Sequence, residues 1–86
     1  MADDELKCKV LFFAAAAEAV GCRSIEMTMK HSTTVCDLVD TIGSMHEKFD
    51  AVKEWCAFAI DQKLCSIDTP LSDGCEVAFL PPVSGG

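Results

Sequence analysis

Cys75-Glu76-Val77-Ala78-Phe79-Leu80-Pro81-Pro82 reads as a strand with a hard stop. Val77 and Phe79 fall on one side, and Glu76, Ala78 and Leu80 on the other, as the two-residue period of extended chain requires. Neither proline can donate to a sheet ladder, so the strand ends at Leu80. Asp73-Gly74 just before it is a turn signal.

Working outward, Lys7 to Phe13 is a second strand, with Cys8, Val10 and Phe12 on one side and Lys9, Leu11 and Phe13 on the other. Ala14 to Val20 is a helix-forming run, and Gly21 is placed to end it in the left-handed conformation. Arg23 to Lys30 alternates again, Ile25, Met27 and Met29 opposing Ser24, Glu26 and Thr28, as in a half-buried antiparallel strand. The main helix starts at Thr34, a capping hydroxyl with Asp37 three residues on. Val35, Leu38, Val39, Ile42, Met45 and Phe49 then make one apolar stripe, with Gly43 inside it costing about 1 kcal/mol relative to alanine. His46 beside the stripe reads as a plain boundary residue. Ala57 to Ile60 is a short strand, Asp61-Gln62-Lys63 a polar turn, and Leu64 to Ile67 extended again before Asp68-Thr69-Pro70.

Strands, one long helix and strands again form an α+β order, with the helix on one face of a mixed or antiparallel sheet. If Val10, Phe12, Val77 and Phe79 face the helix, then Leu11, Phe13, Ala78 and Leu80 face away. A contiguous apolar patch on so small a chain points to a partner. The alternative is that Ala14 to Val20 covers it.

At 86 residues the chain is one domain that buries about 60% of its unfolded surface. Such a core leaves little room for an elaborate buried active site. Half of the residues are apolar, which excludes a disordered tail. Fourteen acidic against seven basic residues give a net charge of −7. That balance repels phosphate backbones and anionic lipid, which sets nucleic acid and membranes aside as partners and leaves basic protein surfaces. The acidic start Met1-Ala2-Asp3-Asp4-Glu5 is unlike a secretory signal, so a cytosolic location is expected. The six cysteines (Cys8, Cys22, Cys36, Cys56, Cys65 and Cys75) contain no C-x-x-C pair. Neither His31 nor His46 stands at zinc-ligand spacing from two of them, so they are read as reduced small hydrophobes and no metal site is expected.

Residues 1–6 are expected to be a flexible N-terminus, 7–80 the folded domain and 81–86 an extended tail. That tail is Pro81-Pro82-Val83-Ser84-Gly85-Gly86. Its prolines favour projection from the body, and its glycines make a slender end that a partner's cleft can admit. It presents an α-carboxylate, ionised at neutral pH. A carboxylate is a poor electrophile, but attack on the α-phosphate of ATP turns it into an acyl adenylate that sulfur or nitrogen nucleophiles open.

Val10-Leu11-Phe12-Phe13-Ala14, the run from Pro70 through Pro82 and the terminal Val83-Ser84-Gly85-Gly86 resemble the small, sulfur-carrying subunits of molybdopterin synthase. The likeness runs from about Cys8 to Gly86. It implies a ubiquitin-like β-grasp fold. It also implies that an activating enzyme related to ubiquitin-activating enzymes adenylates Gly86 with ATP and Mg²⁺, and that a persulfide-derived sulfur leaves a C-terminal thiocarboxylate. By the same resemblance, the tail enters a large catalytic subunit in a heterotetramer of two small and two large subunits. There sulfur passes to cyclic pyranopterin monophosphate to build molybdopterin, with no permanently bound cofactor on the small subunit. Phe13, Leu64 and Leu80 are implied as docking residues. Cys75, Asp61 and Leu80 depart from the residues common in the family at those places.

Three other functions fit the same tail. They are a sulfur carrier for thiamine synthesis or tRNA thiolation, a modifier joined to target lysines through Gly86, and an acidic interaction module without tail chemistry.

Overall fold

The first strand, β1 (Glu5–Phe12), alternates exposed and buried along nearly its whole length, burying Leu6, Cys8, Val10 and Phe12. The computed structural model describes residues 5–81. β1 begins two residues before the expected Lys7. Leu6 is core, which corrects the expectation that residues 1–6 lie outside the folded domain, because the alternation that buries Cys8 reaches back to it.

Next come α1 (Ala14–Val20), β2 (Ser24–Lys30), α2 (Val35–Met45), α3 (Glu47–Val52), a 3₁₀ turn at Lys53–Trp55, β3 (Ala57–Ile60), β4 (Lys63–Cys65) and β5 (Glu76–Leu80). Gly21 closes α1 at φ 90°, in the left-handed region, where its N–H donates to the Ala17 carbonyl. The five strands lie in the order β2-β1-β5-β3-β4. β1 and β5 are parallel and every other pair is antiparallel, so the sheet is mixed and its first and last strands are neighbours. The Asp73-Gly74 turn is tied to β1, the Lys7 N–H donating to Asp73 Oδ1 at 2.8 Å and the Gly74 N–H to the Lys7 carbonyl at 2.7 Å.

The capping box of α2 forms as its sequence predicts, with Thr34 Oγ1 accepting from the Asp37 N–H and the Asp37 carboxylate accepting from the Thr34 N–H. The end of that helix differs from expectation. α2 stops at Met45, His46 is extended at φ −132° and ψ 99°, and Phe49 belongs to the separate α3. The break separates Phe49 from Met45, which an unbroken helix would place on one face. Phe49 enters the core, and Met45 is left 52% exposed. Gly43 is where the two helices meet, since a Cβ there would lie 2.9 Å from Asp50 Oδ1.

The core lies between the helices and one face of the sheet. Val10, Phe12, Val77 and Phe79 are buried as the alternation requires, with Val35, Leu38, Ile42 and Phe49 against them. Phe79 is the hub of an aromatic cluster, with ring centroids 5.7 Å from Phe12, 5.2 Å from Phe49 and 5.5 Å from Phe58.

Candidate functional site

The sheet's other face is split along the strands. Toward its lower end it carries Lys7 and Lys9 opposite Thr28 and Glu26, with Glu76 beside Lys9. Toward the end where β5 runs out, the same face carries Leu11, Ala78, Leu80, Ala59 and Leu64. The register places Leu11 beside Ala78, Ala78 beside Ala59, and Ala59 beside Leu64. The apolar half is therefore one continuous row crossing four strands.

Phe13 stands at the top of this row. It is the residue before α1, in extended conformation at φ −122° and ψ 148°, and makes no side-chain cap. Ala14 follows at φ 51°, a left-handed conformation that is uncommon for alanine. That reversal sends α1 back toward the core, where Ala16 is buried, and leaves Phe13 46% exposed on the outer side. α1 does not cover the outward face.

Leu11, Phe13, Ala59, Leu64, Ala78 and Leu80 line one groove of about 440 Å³, with Gln62 and Glu76 at its polar end. The three residues implied as docking positions, Phe13, Leu64 and Leu80, thus share one wall-to-wall surface. Leu64 is 76% exposed. It holds its place because the β3–β4 hairpin turns at Asp61 and Gln62, both with positive φ, and Asp61 is anchored to β5: its N–H donates to the Glu76 carbonyl at 2.8 Å, and its Oδ1 accepts from the Glu76 N–H at 3.0 Å. Ala59 and Gln62 were not among the expected site residues. Alternation along Ala57–Ile60 shows that Ala57 and Ala59 share a side, but which side needs the pairing with β5.

Pro81 is half-buried at the end of β5. The remaining tail positions, Pro82, Val83, Ser84, Gly85 and Gly86, lie outside the described residues, as do residues 1–4. Trp55, the one tryptophan of the chain, is 66% exposed two residues before the Ala57–Leu80 pair. It was not foreseen, since nothing in its neighbours marks which face it takes.

The cysteines are all free thiols. Cys8 and Cys75 are buried beside each other at the β1–β5 seam. Burial pushes the Cys8 thiol up from its ordinary 9.0 to about 11, and the neighbouring Cys75 adds to the shift. Burial also raises Cys56. Neutral, desolvated thiols of this kind are poor nucleophiles. Among the described residues no three His, Cys, Asp or Glu side chains are grouped to hold a metal ion, and no helix is long and apolar enough to cross a membrane.

Comparison with known proteins agrees with this geometry. The model of the ThiS family matches residues 10–86. The molybdopterin synthase sulfur carrier subunit of Escherichia coli is 39% identical over 80 residues, which cover 91% of this chain and 98% of that protein. Among solved structures, SAMP1 from Haloferax volcanii superposes with a TM-score of 0.84 at 23% identity, covering 93% of this chain and 99% of that one. That likeness shows the fold, the expected β-grasp. A chain of the complex between subunits 1 and 2 of molybdopterin-converting factor from Helicobacter pylori matches with a TM-score of 0.67 at 26% identity, covering 94% of this chain and all of that one.

Proposed function

This chain belongs to the ThiS family, and on that premise we propose that it is a sulfur carrier for molybdopterin synthesis whose reactive group is the Gly86 carboxylate. The observation that carries the reading is the apolar groove of Phe13, Leu64 and Leu80 at the end of the sheet where β5 delivers Pro81. A partner seated there is within reach of residues 81–86. Six extended residues span at most about 20 Å, enough for the terminal glycine to enter a pocket of that partner. The chemistry is assigned to the tail and the catalytic pocket to the partner.

In this scheme a carboxylate oxygen of Gly86 attacks the α-phosphorus of ATP on an activating adenylyltransferase, with Mg²⁺ on the nucleotide, and pyrophosphate leaves. Persulfide sulfur then attacks the acyl carbon and AMP leaves. A second thiol then attacks the donor-side sulfur of the resulting acyl disulfide, forming a disulfide with it and releasing the thiocarboxylate. The charged tail, Pro81-Pro82-Val83-Ser84-Gly85-Gly86, inserts into the large synthase subunit. Sulfur passes there to cyclic pyranopterin monophosphate, and water cleaves the acyl–sulfur bond to regenerate the carboxylate of Gly86. Two deliveries make one dithiolene, which suits a heterotetramer of two small and two large subunits. The small subunit acts as a cosubstrate that is consumed and recharged.

Incubation with the activating enzyme, ATP and a sulfur donor is expected to replace one oxygen of Gly86 by sulfur, read by intact-mass spectrometry. The charged chain with the large subunit then forms molybdopterin. No mass gain under conditions that charge the E. coli carrier would refute the assignment.

A further inference from the structure

Phe13 has a groove on each side. The second is formed where β1 ends, α1 begins and β2 starts. It holds about 490 Å³, and its walls include Leu11, Phe13, Ala14, Ala17, Arg23 and Ser24. Leu11 and Phe13 line both grooves, so the two surfaces are continuous across a single aromatic ring.

Arg23 gives the second groove its chemistry. It is the sole arginine of the chain and is exposed. Its carbonyl accepts from the Phe12 N–H at 2.8 Å, which fixes its place beside the β1 terminus. Among the described residues the ion pairs are those of Lys53 with Asp40 and Asp50, so the guanidinium has no acid partner there. The floor next to it is Ala14 and Ala17, side chains that stop at Cβ and leave room for a visiting group. Ala14 is also the left-handed residue of the wall, and backbone strain of this kind collects at sites that must hold a particular shape.

Resting on the sulfur-carrier reading, we propose that this groove receives a segment of the large synthase subunit that sets a small apolar side chain against Ala14 and Ala17 and a carboxylate on Arg23. The chain as a whole carries −7, so a protein surface that docks on it is favoured when basic, and a carboxylate is repelled almost everywhere else. At Arg23 it meets a planar fork of donors that binds carboxylates in a bidentate manner. One acid set against a background of opposite preference gives register: the partner seats with its carboxylate on the β2 side of Phe13 and its apolar surface on the Leu64 side. Charge pairs at an interface act mainly in this way, on specificity and encounter rate.

The test is calorimetric titration of the full-length chain into its cognate large subunit at low and high salt, with Arg23→Glu, Arg23→Gln and Arg23→Lys beside wild type. Arg23→Glu is expected to weaken binding about 10-fold at low salt, with the difference shrinking at high salt, while thermal unfolding is unchanged. Arg23→Lys retains most of the affinity. Neutralising the large subunit's carboxylates one at a time should find one whose loss makes Arg23→Gln silent. Wild-type affinity in Arg23→Glu overturns the proposal, as does a scan in which no carboxylate couples to Arg23. A wild-type chain that fails to bind the large subunit at all refutes the sulfur-carrier reading instead. Sedimentation of the chain alone is expected to show a monomer; a dimer abolished by Arg23→Glu would assign the groove to a second copy and overturn the proposal.

Discussion

Gln62 is the second of two consecutive residues with positive φ, at 72°, after Asp61 at 50°. Two-residue hairpins of this kind favour asparagine or aspartate followed by glycine, because a Cβ in the left-handed region costs about 1 kcal/mol. Gln62→Gly is therefore expected to raise unfolding stability by about 0.5–1 kcal/mol, read as a higher urea midpoint at unchanged slope. The Asp61-Gln62-Lys63 turn was legible as polar punctuation, but its left-handed geometry was not, since neither Gln62 nor Lys63 announces it. Cys8 makes a second prediction at this scale. Its thiol ionises near 9.0 when unfolded and at about 11 in the native chain. The stability that depends on the neutral buried thiol is complete below about pH 9 and lost as pH rises through about 11. Urea midpoints should fall across that window, and less steeply in Cys8→Ala.

Among the elements, α2 shows both what sequence reveals and where it stops. Its start was fully legible, because a capping box is written in two residues, Thr34 and Asp37, whose side chains satisfy each other's backbone. Thr34→Ala should cost about 1 kcal/mol of stability, measurable by thermal or urea unfolding. Its end was not legible. The apolar spacing runs through Met45 to Phe49 without a proline or a terminal glycine, and the break at His46 follows from packing: α3 closes onto Gly43 so that Phe49 can reach Phe12 and Phe79. Strand identities fared better than strand limits. Alternation alone separates Val77 and Phe79 from Ala78 and Leu80, whereas strand ends depend on which neighbour continues to pair, as Leu6 with Met29 does at the start of β1.

For the whole molecule, the sidedness of the sheet is the property that matters most to function. An outward apolar face at Leu11, Phe13, Ala78 and Leu80 followed from the two-residue period, but its extension to Ala59 and Leu64 depends on the order β2-β1-β5-β3-β4, which no local pattern encodes. Arg23 was visible only as one scattered cation, because its nearness to Phe13 arises from the β1–β2 pairing. The three proposed docking positions, Phe13, Leu64 and Leu80, offer different tests. Leu64 is already largely in solvent, so Leu64→Asp should change stability by less than about 0.5 kcal/mol yet weaken the complex with the large subunit, measured by titration. Phe13→Asp should also weaken the complex but cost more stability than Leu64→Asp, because just over half of the Phe13 surface is covered. Leu80→Asp should also weaken binding but lower stability more, because Leu80 is half-buried beside Ala57 and Phe13.

The parallel pairing of β1 with β5 sets an order on the life of the molecule. The first strand has no central neighbour until residues 76–80 exist, so the sheet closes late, through a contact between distant parts of the chain. A ribosome that stalls before Glu76 releases a chain in which Leu11 and Phe13 lack Ala78 and Leu80, with half of the apolar groove missing. Under the proposed function, such an unfinished chain has no competent surface to offer the large subunit. On the proposed reading, a partner that grips this groove discriminates against any chain lacking the last strand.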